Sequence, residues 1–205
     1  SEEANYKGRE FVVNKIQYSG GVPSLKTDYV YDEKGKNNLS ITRRNGNNTL
    51  FDKIVMKYKG NKLLEKITYN EQQNPSNRFV YNYDKEGNLT GENYYEATDV
   101  MQHKIEYKYN KDKQKVLEVH YTNDGSKEYE TRYTYAGDKI ASMEIYNPKG
   151  ELTYYEKKNY DNKGNVSSLS TYDKFDGIEM QQEYKYDEKG NNVEWVALEN
   201  DKVTL

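Results

Sequence analysis

The chain has no cysteine, which excludes disulfides, thiolate metal sites and cysteine nucleophiles together. No apolar run approaches the ~20 residues that a membrane-spanning helix requires. Only 34% of the 205 residues are hydrophobic, and the mean hydropathy is −1.23. No segment repeats its apolar residues with a helical period, so no helix is expected. There is no basic block either. The 31 Lys and Arg are scattered among 34 Asp and Glu, and the net charge is −3. A nucleic-acid binder carries a basic footprint, so that class is set aside. Catalytic signatures are missing as well: no Gly-x-Ser-x-Gly elbow, no phosphate-binding loop and no Gly-x-Gly-x-x-Gly fingerprint.

What the chain has in quantity is tyrosine, 23 residues of it, and its placement is regular. In Phe79-Val80-Tyr81-Asn82-Tyr83 the aromatics alternate with other residues, so in a strand they share one face. Asp84 and Gly87 then break the run, Asp by capping the backbone and Gly by accepting a positive φ. Leu89, Gly91, Asn93 and Tyr95 restart the alternation on the way to a turn at Glu96-Ala97-Thr98-Asp99. The unit is a β-hairpin, and it recurs. A closing Tyr falls at Tyr6, Tyr31, Tyr58, Tyr83, Tyr109, Tyr135, Tyr160 and Tyr186, every 25 to 27 residues. The other strand of each hairpin closes at Tyr18, Tyr69, Tyr95, Tyr121, Tyr146 and Tyr172, with Asn45 in one copy.

These observations predict an all-β fold. It is an antiparallel meander of about eight tandem 26-residue hairpins, one array over residues 1–205, in a single curled or spiral sheet. Open twisted sheets rarely exceed ~10 strands without curling, which is the reason to expect curvature from some sixteen strands. Low net charge and a periodic supply of large half-apolar rings argue for order despite the polar composition. One face is expected to be rich in Tyr, Leu and Ile and to bury its rings, the other to be charged. Turns are expected at Gly20-Gly21-Val22-Pro23, Asn45-Gly46-Asn47-Asn48, Asn123-Asp124-Gly125 and Asn147-Pro148-Lys149-Gly150, with a longer loop over Asn70 to Asn77.

Candidate chemistry is sparse. Asp32, Asp84, Asp161 and Asp187 open their turns, but Lys34, Lys163 and Lys189 stand where a calcium loop needs oxygen ligands, so these Asp read as turn caps. His103 and His120 lie in different strands without ligand or triad spacing. Thirty-four acidic residues always offer carboxylate pairs, but no spacing singles one out for glycoside hydrolysis. No catalytic, cofactor-binding or metal residue is assigned, no cofactor is expected, and the chain reads as a non-enzyme. The tyrosine ladder is the one feature suited to a ligand, by stacking on sugars or seating a protein.

Tyr81-Asn82-Tyr83-Asp84-Lys85-Glu86-Gly87-Asn88-Leu89 resembles the YD repeats of bacterial RHS-type proteins. So do Tyr184-Lys185-Tyr186-Asp187-Glu188-Lys189-Gly190-Asn191 and Tyr160-Asp161-Asn162-Lys163-Gly164-Asn165-Val166. The resemblance covers nearly the whole chain and rests on a short, structural motif. It implies hairpins that spiral into a shell around a toxic domain or other cargo. The chain is too short to enclose cargo, and the Asp-Pro-x-Gly core motif of the self-cleaving segment is absent. It is more similar to small exported YD-repeat proteins of Bacteroides-type bacteria. MORN repeats, the other short Tyr/Gly hairpins, fit less well because their Gly-x-Trp/Tyr-x-x-Gly spacing is not kept.

The resemblance implies export to the periplasm or cell surface, although no signal peptide is present and Ser1-Glu2-Glu3 fits a native or a processed terminus. The function expected is a non-catalytic envelope binding or scaffold module with a glycan or envelope protein as partner. The alternatives are an immunity or accessory factor of a secreted toxin system and a carboxylate-dependent hydrolase.

Overall fold

The computed structural model of the protein describes residues 1–7, 11–97, 99–175, 177–199 and 202–204. Among these there are seventeen strands and no helix. The first eight are β1 (Glu2–Lys7), β2 (Phe11–Ser19), β3 (Val22–Tyr31), β4 (Asn38–Asn45), β5 (Leu50–Lys59), β6 (Lys62–Tyr69), β7 (Pro75–Tyr83) and β8 (Leu89–Glu96). Then come β9 (Met101–Tyr109), β10 (Lys115–Thr122), β11 (Lys127–Ala136), β12 (Lys139–Tyr146), β13 (Leu152–Tyr160) and β14 (Val166–Asp173). The last are β15 (Ile178–Tyr186), β16 (Asn192–Glu199) and β17 (Lys202–Thr204), the final one a short addition to the sixteen expected.

The chain divides into two compact units, Ser1–Lys104 and Ile105–Leu205, with the boundary inside β9. In the first unit each strand from β1 to β8 pairs antiparallel with the next. In the second, β10 to β17 do the same. The protein is an all-β antiparallel meander, as the hairpin repeat requires.

The turns explain the repeat. Asp84 N donates to Asn88 O at 3.0 Å, Gly87 N donates to Asp84 O at 3.2 Å, and Gly87 has φ +93°. That is a three-residue loop, a type I turn followed by a left-handed residue, whose geometry matches the twist of the flanking strands. The register slips at the preceding residue, Tyr83, which lies opposite Leu89 across a bulge. The same slip falls at Tyr31, Tyr58, Tyr135, Tyr160 and Tyr186. A bulge re-aims the side chain it carries, and at these hairpins it re-aims a tyrosine.

Two turns differ from expectation. The Asn70–Asn77 loop is a three-residue loop, because Gln73 itself takes φ +61° and closes the turn without glycine. Pro75 then opens β7 opposite Tyr69; at the first strand position a missing N–H is tolerated. At Gly20-Gly21 the turn is two residues long, since Ser19 pairs with Val22 and Pro23 with Tyr18. Thr98, in the expected turn after β8, lies outside the described residues.

The segregation into a tyrosine face and a charged face is also corrected. Lys66, Phe79 and Tyr94 are paired across one face. Ile67, Arg78 and Tyr95 are paired across the other. Tandem pairs such as Tyr94-Tyr95 and Tyr154-Tyr155 put one ring on each side, because successive side chains point to opposite faces. No large side chain among the described residues is fully buried; the apolar core is limited to Val119 and Ala197. The rings are half-buried by their neighbours in the sheet.

Candidate functional site

In a meander the turns alternate between two edges. Within each unit, turns after odd-numbered strands lie on one edge and turns after even-numbered strands on the other. The two edges are built differently.

On the odd-turn edge four of the bulged tyrosines reach backbone, while Tyr58 donates to Met56 Sδ at 3.7 Å. Tyr83 donates its hydroxyl to Leu63 O at 2.9 Å, Tyr135 to Lys115 O at 2.8 Å, Tyr160 to Ile140 O at 2.7 Å and Tyr186 to Val166 O at 2.9 Å. Each bond joins two strands that no turn connects on that side, so each tyrosine latches one hairpin to the next. Side chains from one turn then cap the loop carbonyls of the following turn. Asn37 donates to Gly60 O at 2.9 Å, Gln114 to Gly137 O at 2.5 Å and Lys163 to Glu188 O at 3.1 Å, and Lys139 donates to Gly164 O. Lys139 also covers the Tyr160 ring at 5.2 Å, as Lys62 covers Tyr83 at 5.4 Å. Gly87 and Gly164 both have positive φ, so the backbone selects glycine there; an added Cβ would meet only the ammonium ends of Lys62 and Lys139, which can swing aside.

The turn aspartates belong to this edge. Asp84 accepts Asn88 N and Asn88 Nδ2, each at 2.8 Å. Asp187 accepts Lys189 N, Asn191 N and Asn191 Nδ2 at 2.8–2.9 Å, and Asp161 repeats the arrangement with Lys163 and Asn165. The amide of Asn88 or Asn191, then backbone N–H groups, holds Asp84 and Asp187 below the usual carboxylate range. Desolvation alone would raise Asp161, but Asn165 and the backbone donors of its turn hold it low. Asp32 is lowered by Lys36 N first and then by Asn37. Both oxygens of each carboxylate are engaged, so these residues act as caps, as their sequence context implied.

On the even-turn edge tyrosines meet side chains instead. Tyr18 donates to Glu3 Oε2 at 3.1 Å, Tyr121 to Glu106 Oε2 at 3.2 Å and Tyr146 to Glu144 Oε2 at 2.6 Å. The Arg78 guanidinium stacks on Tyr95 at 4.1 Å and that of Arg132 on Tyr146 at 4.3 Å. Tyr155 and Tyr172 stack at 5.7 Å, and Tyr155 donates to Glu179, which pushes its hydroxyl up to about 12. Arg78 also reaches Asp99 at 2.9 Å and Glu65 at 3.5 Å. Around it lies a depression of about 340 Å³ lined by Glu65, Ile67, Asn77, Arg78, Glu96 and Asp99. Sequence reasoning missed this edge because its clusters form from residues on neighbouring strands. The signal was present in the replacement of one even-edge tyrosine by Asn45 while every odd-edge position kept its ring.

Phe79 packs tilted against Tyr94 at 4.9 Å, Tyr94 stacks on His103 at 4.9 Å, and the Lys66 ammonium lies over the Phe79 ring at 4.4 Å. His120 stacks on Tyr129 at 4.1 Å and lies 2.6 Å from Glu118, which also pairs with Lys115 at 2.5 Å. Burial alone would raise Glu118; Lys115 and His120 hold it low. The two histidines are thus members of ring ladders. No group of three metal-capable side chains occurs among the described residues.

No protein-family profile matches the chain, and no curated protein matches it. Among solved structures, the crystal structure of TcdB2-TccC3-Cdc42 aligns with a TM-score of 0.54 and 13% identity, over 97% of this chain and 14% of that one. A porin-like protein from Bacteroides uniformis aligns with a TM-score of 0.42 and 11% identity, over 92% of this chain and 89% of that one. The likeness to the first is one of fold, over a small part of the larger chain.

Proposed function

We propose that the protein is a non-catalytic envelope binding or scaffold module whose partner is a protein, seated along the even-turn edge. One observation carries this reading. Along the even-turn edge the rings of Tyr95 and Tyr146 are covered by Arg78 and Arg132, and those of Phe79 and Tyr94 by Lys66 and by neighbouring rings, so hydroxyls and charged pairs are what these residues offer outward. A sugar needs an open ring face for stacking. A protein surface is suited to hydroxyl tips and to Arg–Tyr–carboxylate clusters, the groups enriched at contact hot spots. The test is a glycan array run beside a pull-down from envelope extracts. Capture of a defined envelope protein, lost on Arg78→Ala or Arg132→Ala, supports the reading. Specific glycan binding that survives both changes overturns it.

A second reading, an accessory role in a toxin system, is favoured by the fold likeness to TcdB2-TccC3-Cdc42 together with the YD-type sequence pattern. Co-purification of a toxin component decides for it; a chromosomal neighbourhood without toxins decides against it.

A further inference from the structure

Asn77 of β7 and Glu96 of β8 stand directly opposite each other, on the same face of the sheet. Side chains so paired lie about 5 Å apart and ordinarily satisfy one another. Here they make no bond to each other. Asn77 Oδ1 is buried without a hydrogen-bond partner, and the Glu96 carboxylate pairs with no described residue. Asn77 Oδ1 and the adjacent Arg78 Nε are two of four buried side-chain atoms, among the described residues, that lack a partner. A buried polar atom left unpaired calls for a reason, and a group supplied from outside the chain is one.

Asn77, Arg78 and Glu96 all line the depression of about 340 Å³, whose apolar lining is Ile67, Pro75 and Ala97. Ile67 and Arg78 lie on the face opposite to Asn77, so the depression wraps around the even-turn edge. Its charges do not balance. Arg78 is held by Asp99 at 2.9 Å and by Glu65 at 3.5 Å, and Glu65 is held again by Lys57 at 2.5 Å. Glu96 is the carboxylate left over. Lys66, one pair further along the face of Asn77, lies over the Phe79 ring. The even-turn loops of the first unit, residues 20–21, 46–49, 70–74 and 97–100, contain no Lys or Arg that could supply the missing cation.

We propose that this depression takes one lysine or arginine side chain of the partner, its stem along Ile67, Pro75 and Ala97 and its cation donating to Glu96 and Asn77 Oδ1. Both side chains combine an apolar stem with several N–H donors, which matches a lining that is apolar except for two free acceptors and one surplus negative charge. The unpaired Arg78 Nε–H needs an acceptor, and a peptide segment brings carbonyls beside its cation where a free amine brings none. The proposal rests on the protein-partner reading above and states what that partner must present.

Amide-resolved NMR titration of the whole chain with acetyl-Gly-Arg-Gly-amide and acetyl-Gly-Lys-Gly-amide tests it, with the neutral citrulline peptide as control. The cationic peptides shift the amides of residues 75–78 and 96–97 saturably, and the citrulline peptide does not. Glu96→Gln, an exposed change of charge at constant shape, weakens binding at least about fivefold, the effect of one ion pair at contact distance in water. Asn77→Asp puts a charge on the second acceptor and tightens binding. Should circular dichroism show that variant unfolded, Asn77→Leu replaces it and weakens binding. No saturable shift with either cationic peptide overturns the proposal, as does equal binding of the citrulline peptide or a Glu96→Gln variant that binds like wild type. Calcium chloride producing the same shifts overturns it in favour of an inorganic ion. Capture from envelope extracts separates the two levels. An envelope protein retained by Glu96→Gln as by wild type overturns this site and leaves the protein-partner reading standing. Glu96-dependent peptide binding with no protein captured overturns that reading, and with it the source of the cation.

Discussion

The two edges of the sheet solve one problem with different chemistry. On both, tyrosines bridge strands that no turn connects on that side. At Tyr83, Tyr135, Tyr160 and Tyr186 on the odd-turn edge the acceptor is a main-chain carbonyl, present whatever residue occupies the position. On the even-turn edge the partners are Glu, Arg or another Tyr, which differ from repeat to repeat. A backbone acceptor makes the ring indispensable and its surroundings free to vary. A side-chain partner makes the pair replaceable, as at Asn45, where Arg44 and Asp28 pair at 2.6 Å nearby. The first edge holds the array together, and the second is where individuality can accumulate.

The largest effect expected from this contrast is on stability. Tyr135→Ser removes a half-buried ring and its latch, and should cost roughly 2–4 kcal/mol through lost apolar burial and a cavity. A melting temperature unchanged by this substitution would remove the latch from the account. Phenylalanine sharpens the comparison, because it keeps the ring and deletes only the hydroxyl. Tyr135→Phe strands the Lys115 carbonyl and should cost about 1 kcal/mol. Tyr146→Phe loses a bond to a partly exposed carboxylate that water can satisfy, and should stay within about 0.5 kcal/mol. Equal losses in chemical denaturation would mean that the edges are energetically alike.

Much of the scaffold was legible in the sequence and little of the site was. Strand period, hairpin length and turn position are local properties, written by alternation and by Asp-x-x-Gly-Asn, and they place Tyr83 at the end of a strand. Which atom Tyr83 meets depends on a carbonyl twenty residues back, and the bulge that aims the ring leaves no residue type to mark it. Gln73 and Lys113 in left-handed conformations escaped for a similar reason, since only glycine announces that geometry. Arg78 over Tyr95 and Arg132 over Tyr146 required cross-strand register, which alternation alone leaves open by one residue.

The edges should also separate by pH. Asp32, Asp84, Asp161 and Asp187 cap odd-edge turns and are held low by the groups that donate to them, whereas Asn45, Asn70 and Asn147 do the same work on the even edge without titrating. A carboxylate whose folded pKa lies below its unfolded value of about 3.9 contributes stability above that value and loses it as pH falls through the folded pKa. Amide exchange at those four odd-edge turns should therefore accelerate between about pH 4 and pH 2 before the turns capped by Asn45, Asn70 and Asn147 respond. The even-edge turn of Asp124, held low by Thr122 and Ser126, and the odd-edge turn of Asn110 should follow their caps and not their edges. Uniform acceleration at both edges would contradict the assignment.

The finest test moves one edge's chemistry to the other. Asn147 accepts Lys149 N and Glu151 N at 3.0 Å and donates to Glu151 Oε2 at 2.9 Å. Asn147→Asp alone places two carboxylates where an amide–carboxylate bond stood, so it should destabilise at neutral pH. Adding Glu151→Asn rebuilds Asp-Pro-Lys-Gly-Asn, the motif of the opposite edge, and restores the missing donor. It gives up the Glu151–Lys174 pair, an exposed contact worth little. The double variant should match wild type at pH 7 to within about 0.5 kcal/mol. What changes is its response to acid: the turn at 147–151 should lose protection together with those at 84–88 and 161–165, read by pH-dependent amide exchange. Protection at 147–151 unchanged down to pH 2 would show that the lysine-to-carbonyl stitches from Lys139 and Lys163, and not the carboxylate caps, set the behaviour of the odd edge.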